Sequence, residues 1–468
     1  MWFELRPYSS LLNPKWKKKE IGEWEGINKK GGEGYDSRPS SLRLFLERPP
    51  RQNTLLAAFA LSRLRFFKGR DPLCMAVSLL SHDISDLCLG KPAIPSLPTS
   101  ATVGDALSAL KKNDEQCLGV WSCNHARETA AATGNNRGGE DCRCIGKVCM
   151  VDVIVYLCRD ENLSDPIAAL QAPLSLLLPE LPGLVRHVEH NCSLLEALDL
   201  ILDGAQNLVV PIQTRRKRQS SKTHHHSHAN GREFCWITQE DIVRFLLNGI
   251  GLFSPVPALS VDSLGIVRPE VLAVGYHDPA SSALESIALA HAHHTSVAVV
   301  APDGATLIGE ISPATLAASA EAAAPALLAL SAGDLMSYID CGGPPSHLIW
   351  AVKERLREQG LHGMLDLLGD LSSSSSSSLS SSSSEDESSP PTTVGSPKGP
   401  LRSMRSRMAR RSEAIVCQKG SSLVAVMIQA LAHRVNYVWV VDDACNLAGI
   451  VTFSDILRVF REQFQAYD

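Results

Sequence analysis

The stretch Gly449-Ile450-Val451-Thr452-Phe453-Ser454-Asp455-Ile456-Leu457 decides the fold, because the chain carries it four times. It reads as a buried strand ending in a hydroxyl, a short turn to an acid, and an apolar helix start. The β-branched run Val438-Trp439-Val440-Val441 precedes it across the tip Asp442-Asp443. Gly146 to Asp152 is a second copy, with Cys149 in the Thr position. A third is Trp236-Ile237-Thr238-Gln239-Glu240-Asp241, where Cys235 stands for the glycine. Gly309-Glu310-Ile311-Ser312-Pro313-Ala314-Thr315 is the fourth, keeping Ser312 but carrying Thr315 in place of the acid. Repetition shifts the question from which reaction this chain performs to what a repeated unit can hold.

The half of the unit upstream of each copy recurs as well. Ser193 to Leu198 leads to Asn207-Leu208-Val209-Val210, and Ser422 to Met427 leads to Tyr437 to Val441, with 13 residues from helix alanine to mid-strand in both. Val103 to Leu107 before Cys117 to Val120, and Ser282 to Leu284 before Ser296 to Val300, are the equivalents. Apolar spacing of three and four, then a near-continuous β-branched run, predicts a helix followed by a buried strand. Each unit is therefore strand, helix, strand, hairpin, strand, helix.

This order and the Gly-apolar-apolar-Thr-x-x-Asp ending resemble the CBS domain, the repeat named after cystathionine β-synthase. Four copies without a catalytic domain look most like the plant stand-alone four-repeat X group, distantly similar to the gamma subunit of AMP-activated kinases. The resemblance implies an α/β fold of four repeats paired into two Bateman modules. The expected organisation is a basic N-terminal extension over 1–74, repeats at 75–165, 175–255, 259–330 and 412–468, a helical connection over 331–370, and a Ser-rich and basic linker over 371–411. Ser346 is expected to cap an amphipathic helix through Leu348, Ile349, Val352 and Leu356 that ends before Gly360 and packs on the repeats. Ser372 to about Pro400 has too few apolar residues to offset ordering entropy and reads as a tether, with Ser382, Ser383 and Ser384 each three residues before an acid.

Composition bounds the function. A net charge of −5 over 468 residues gives no reason to expect a nucleic-acid partner. No apolar run is long enough for a membrane span. Thirteen cysteines without C-x-x-C spacing fit a reducing compartment, and the Cys142, Cys144 and Cys149 group lacks zinc spacing. The first 74 residues hold 15 Lys or Arg against 8 Asp or Glu. Their basic character fits a plastid or mitochondrial transit peptide, but the scattered acids Glu20 to Asp36 and the next methionine, Met75, favour a cytoplasmic chain. Insertions fall at the hairpin tips, Ser122 to Arg143 and Gln213 to Arg232; the second holds His224 to His226 and His228, read as a solvated loop or a metal or polyanion site.

The motif itself suits an anionic, hydroxyl-rich ligand. Thr452 ends a strand and Asp455 opens a helix, so free backbone N–H groups and the helix dipole attract phosphate while the carboxylate can accept both hydroxyls of a ribose. The resemblance implies the same division of labour, with AMP, ADP, ATP or S-adenosylmethionine as regulatory ligand. Thr452 with Asp455 and Thr238 with Asp241 are the leading pairs, Cys149 with Asp152 is intermediate, and Ser312 with Thr315 is the poorest because Thr315 has no charge. Thr315 is expected at an exposed helix start that would tolerate an acid. Thr-x-x-Asp is equally a capping box, which would account for every copy without a ligand. His291, His293 and His294 on the third repeat, and His433 and Arg434 on the fourth, are basic candidates for phosphate or simply polar helix ends. No Walker loop, nucleophile elbow or catalytic carboxylate pair is present. The expectation is a non-catalytic regulator of a partner such as a kinase or redox enzyme, with a homodimer left open; the alternative is a ligand-free scaffold recruiting the same partners.

Overall fold

The computed structural model describes residues 81–113, 117–122, 143–178, 183–212, 233–340, 344–375 and 412–465. The expectations for the N-terminal extension, the His224 to His228 loop, Cys142, and the linker from 376 to 411 lie outside these residues.

Four three-stranded units account for the repeats. The first contains β1 (Ser96–Pro98), α1 (Val103–Asn113), β2 (Cys117–Ser122), β3 (Arg143–Cys149) and α2 (Met150–Leu157). In the second are β4 (Val185–His187), α3 (Leu194–Leu202), β5 (Asn207–Ile212), β6 (Glu233–Ile237) and α4 (Gln239–Asn248). The third contributes β7 (Ala273–Gly275), α5 (Leu284–Ala292), β8 (Val297–Val300), β9 (Leu307–Ile311) and α6 (Pro313–Ala318). Between the third and fourth lie α7 (Ala323–Ala329), α8 (Ala332–Ile339), α9 (Ser346–Glu358) and α10 (His362–Ser375). The fourth closes with β10 (Val416–Gln418), α11 (Leu423–His433), β11 (Tyr437–Val441), β12 (Leu447–Thr452) and α12 (Phe453–Gln465). Every sheet has the same wiring: a parallel pair joined through the helix, then an antiparallel hairpin.

Local chemistry accounts for these elements. The β-branched second strands are buried along their length, as Val297–Val300 and Tyr437–Val441 show. Ser193 and Ser422 cap α3 and α11, their hydroxyls accepting from the N–H of Glu196 at 3.1 Å and of Ala425 at 3.4 Å.

Pairing runs in two directions. Repeats 1 and 2 meet through their sheets, around Ile94, Trp121, Cys144 and Val209. Repeats 3 and 4 meet similarly, where buried Glu310 accepts from Tyr437 Oη at 2.9 Å and Trp439 Nε1 at 2.7 Å. Across modules, helices pack repeat 1 on repeat 3 in one core and repeat 2 on repeat 4 in another. Burying both the sheet and helix faces of every unit explains why the strands read as continuous apolar runs.

Two expectations need correction. Pro345, with φ −60° and ψ 140°, is the N-cap of α9, and Ser346 is its first helical residue with no capping bond. A proline preset to extended backbone starts the helix without a hydroxyl. The apolar face is as expected: Leu348, Val352 and Leu356 are buried against the core shared by repeats 1 and 3. Thr315 is the second correction. It is 2% exposed, and its hydroxyl donates to Ser312 O at 2.9 Å, so this helix start is interior rather than exposed. α10 extends through Ser375, taking in the first residues of the Ser run.

Candidate functional site

Each motif strand is edged by the lead-in segment of the other repeat in its module. In module 2, the Arg268 N–H donates to Ile450 O and the Ile450 N–H returns a bond to Arg268 O, both at 2.9 Å. Gly449 makes room for this: a Cβ there would lie 2.4 Å from Arg268 O. Reciprocally, the Glu310 N–H donates to Ser412 O at 3.1 Å, and a Cβ on Gly309 would meet that oxygen at 2.8 Å. In module 1 the Ile94 N–H donates to Phe234 O at 2.8 Å, and the Cys144 N–H to His187 Nε2 at 2.9 Å. Gly309 and Gly449 therefore mark close backbone crossings, and the lead-in segments of repeats 1 and 3 bring Lys91 and Arg268 to the acids Asp241 and Asp455.

The Thr238 and Asp241 pair sits at the start of α4. Three donors converge on Asp241 Oδ2: the Thr238 N–H at 2.8 Å, the Thr238 hydroxyl at 2.8 Å and Lys91 Nζ at 2.6 Å. Among the described residues no contact uses Oδ1, and the side chain keeps 19% of its surface exposed. One oxygen is thus left for a further donor, next to an ammonium and the helix N-terminus. Behind it, Cys235 in the glycine position hydrogen-bonds Cys88; that bond, with Lys91 nearby, holds the Cys88 thiol below the usual range, while the bond and burial push Cys235 up.

The Thr452 and Asp455 pair has the same frame but is closed. Asp455 Oδ2 accepts from the Thr452 N–H at 3.1 Å and from the Thr452 hydroxyl at 2.6 Å. Oδ1 accepts from Arg268 Nε at 2.6 Å, with the Arg268 terminal nitrogen also in contact and Arg458 at 3.4 Å. The carboxylate is 4% exposed. A ribose here must first displace the Arg268 guanidinium.

In repeat 1, Asp152 Oδ2 accepts from the Cys149 N–H at 2.7 Å, while Oδ1 faces His291 Nε2 of repeat 3 at 3.4 Å. Cys149 lies opposite Cys117 in the hairpin, and the hydrogen bond between the thiols, with burial, raises the Cys149 pKa well above the usual range. A thiol held protonated is a weak substitute for the threonine hydroxyl. In repeat 3, Ser312 is 1% exposed and its hydroxyl is taken up by the Thr315 N–H and Oγ1 at 3.1 and 2.9 Å. Of the motif pairs, Ser312 and Thr315 act as a helix cap alone.

The capping role is thus present in every copy, and ligand capacity rests on what remains beyond it. Lys91 and Arg268 escape sequence reasoning because each meets its acid across well over a hundred residues of chain. A signal was available: each stands five residues before the first strand of its own repeat. His291 is a partner of Asp152 across the module boundary rather than only a polar helix end, whereas the described contacts of His433 and Arg434 are those of the α11 terminus. The depression lined by Leu107, Lys111, Leu170, Glu321 and Leu367 lies away from all four motifs.

Comparison with known proteins agrees with this architecture. The CBS domain family profile matches residues 407–462. The chain is 48% identical to the CBS domain-containing protein CBSX5 of Arabidopsis thaliana, over 83% of this chain and 98% of that protein. It is 24% identical to CBSX6 of the same plant, over 84% and 96%. Similarity at 20% identity extends to the Arabidopsis SNF1-related protein kinase regulatory subunit gamma-like PV42b, over 82% and 95%.

Proposed function

Because the chain belongs to the CBS domain-containing proteins, we propose that it is a non-catalytic regulator that binds an adenosine-containing ligand in its module clefts and alters a partner protein. The observation that carries this reading is Asp241: a capping carboxylate with one oxygen left over, beside Lys91 and the α4 N-terminus. The cap explains Oδ2; a ribose hydroxyl suits Oδ1, and the ammonium suits a phosphate. A kinase is the favoured partner class, supported by the likeness to a protein named as a kinase regulatory subunit.

Ligand control would follow from the reciprocal crossings. A ligand seated at Asp241 touches the lead-in segment of repeat 1 and the motif helix of repeat 2 together, so it favours one relative setting of the two repeats. Any partner sensing that setting is regulated by population shift. The test is thermal denaturation of the full chain with AMP, ADP, ATP and S-adenosylmethionine, each at millimolar concentration. At least one should raise the melting temperature, and Asp241→Asn should abolish the rise. No shift with any of the four would instead support the ligand-free scaffold.

A further inference from the structure

Repeat 1 departs from the hydroxyl-acid pattern in a chemically specific way: its hydroxyl position carries a thiol, and an imidazole from another repeat faces its acid. One ligand atom from each of Cys149, Asp152 and His291 lies within 4.8 Å of the others. We propose that these three residues form a binding site for a borderline-soft divalent cation of the zinc class, joining module 1 to module 2.

The geometry is prepared on three sides. Cys149 ends β3 and Asp152 lies in the first turn of α2, so their spacing is fixed by the capping turn. The Cys149 N–H holds Asp152 Oδ2, which leaves Oδ1 directed at His291. This is the outer hydrogen bond that metal-ligating carboxylates ordinarily receive. His291 comes from the last turn of α5, packed on α2 in the shared core of repeats 1 and 3. Tetrahedral coordination at zinc bond lengths requires ligand separations of about 3.5 Å. Closing from 4.8 Å or less is within reach of side-chain rotation. Cys149 is buried, while Asp152 and His291 are each a little over one-fifth exposed, so a solvent molecule can complete the fourth position.

The donor set selects the metal. Thiolate, imidazole and carboxylate together suit Zn²⁺ or Co²⁺, whereas Mg²⁺ and Ca²⁺ prefer oxygen alone. Binding exchanges the Cys149 thiol proton, released to solvent, for the metal–sulfur bond. Lys147 stands close enough to act electrostatically on Cys149, Cys117 and Asp152; the two anionic ligands outweigh its single charge. Beside the site, His294 Nε2 is buried with no hydrogen-bond partner among the described residues. The feature belongs to repeat 1 alone among the four motifs, since Thr238, Ser312 and Thr452 offer hydroxyls.

The experiment uses the full chain with His224, His225, His226 and His228 changed to Ser, removing the competing loop imidazoles. The chain is stripped with chelator, kept reduced, and titrated with Co²⁺. The expected result is thiolate-to-cobalt charge-transfer absorbance saturating at one equivalent, discharged by Zn²⁺ and untouched by Mg²⁺. Cys149→Thr, which installs the residue of repeats 2 and 4 and so keeps the fold, should abolish that absorbance; His291→Ala should weaken binding at least tenfold. Absence of the charge-transfer band, or its persistence in both variants, would overturn the proposal.

Discussion

Replacing Arg268 should open the fourth-repeat cleft, and this perturbation separates a lock from a ligand contact. Arg268 Nε lies 2.6 Å from Asp455 Oδ1, the oxygen a ribose would use. The carboxylate is 4% exposed but the guanidinium side chain is 45% exposed, so the pair lies between a buried and a surface ion pair. Hydrogen bonds to charged groups contribute about 1.5–3 kcal/mol, and exposed pairs about 0.2–1 kcal/mol. Discounted for solvent, about 1.5 kcal/mol is a reasonable value. A ligand that must break the pair binds more weakly by that amount, or about tenfold. Arg268→Met keeps an aliphatic stem of similar length and leaves the Thr452 hydroxyl and N–H on the carboxylate. Calorimetric titration with the adenosine ligand should therefore show about tenfold tighter binding at this cleft. Thermal denaturation without ligand should show a melting temperature about 2–4 °C lower. Tenfold weaker binding would refute the reasoning, because it would make Arg268 a phosphate contact and not a lock.

Thr315→Asp should lower stability by about 2 kcal/mol or more, because it places a carboxylate in an interior turn whose hydroxyl bonds are already complete; an unchanged melting temperature would contradict the interior assignment. Burial depresses His187 protonation below the usual histidine range, and its Nε2 accepts the Cys144 N–H, a bond that needs this nitrogen unprotonated. Below pH about 6.5 the unfolded chain takes up a proton that the folded imidazole refuses, so this contribution is intact above that pH and lost as pH falls. Urea denaturation at pH 7.5 and 5.5 should show a smaller acid loss for His187→Gln than for the unaltered chain, and equal losses would sink the idea. Asp455→Ala should destabilise the chain by about 3 kcal/mol, since Arg268 and the Thr452 N–H lose their partner in a closed site; urea denaturation measures it, and a change within error would contradict the buried pair.

The repeat architecture was legible because it is written locally. Helical spacing in Leu194 to Leu202 gives way to the β-branched run Asn207 to Val210, and the insertions fall between strands that pair as hairpins, β2 with β3 and β5 with β6. The hydroxyls and acids were legible for the same reason, each pair lying within one turn. What escaped were contacts made across the fold. Lys91 and Arg268 arrive on lead-in segments with no apolar period, and His291 reaches Asp152 only once helices of different modules pack. Thr315 departs from the expected exposure because helix starts are usually wet, whereas this one lies within the tightly packed third repeat. Thr452 and Asp455, the cleanest copy of the motif, are the more closed pair; the third copy, without its glycine, holds the more open acid.

The most direct measurement is a calorimetric titration of the full chain and its Asp241→Asn variant with whichever of AMP, ADP, ATP and S-adenosylmethionine stabilises it. The variant keeps the shape of the cap but removes the charge that Lys91 and a ribose share. Loss of a charged hydrogen-bond acceptor corresponds to about 1.5–3 kcal/mol, so affinity should fall about tenfold or more while the melting temperature of the ligand-free protein changes little in comparison. Equal affinity in the two proteins would show that Asp241 caps a helix and nothing else, and would contradict the account.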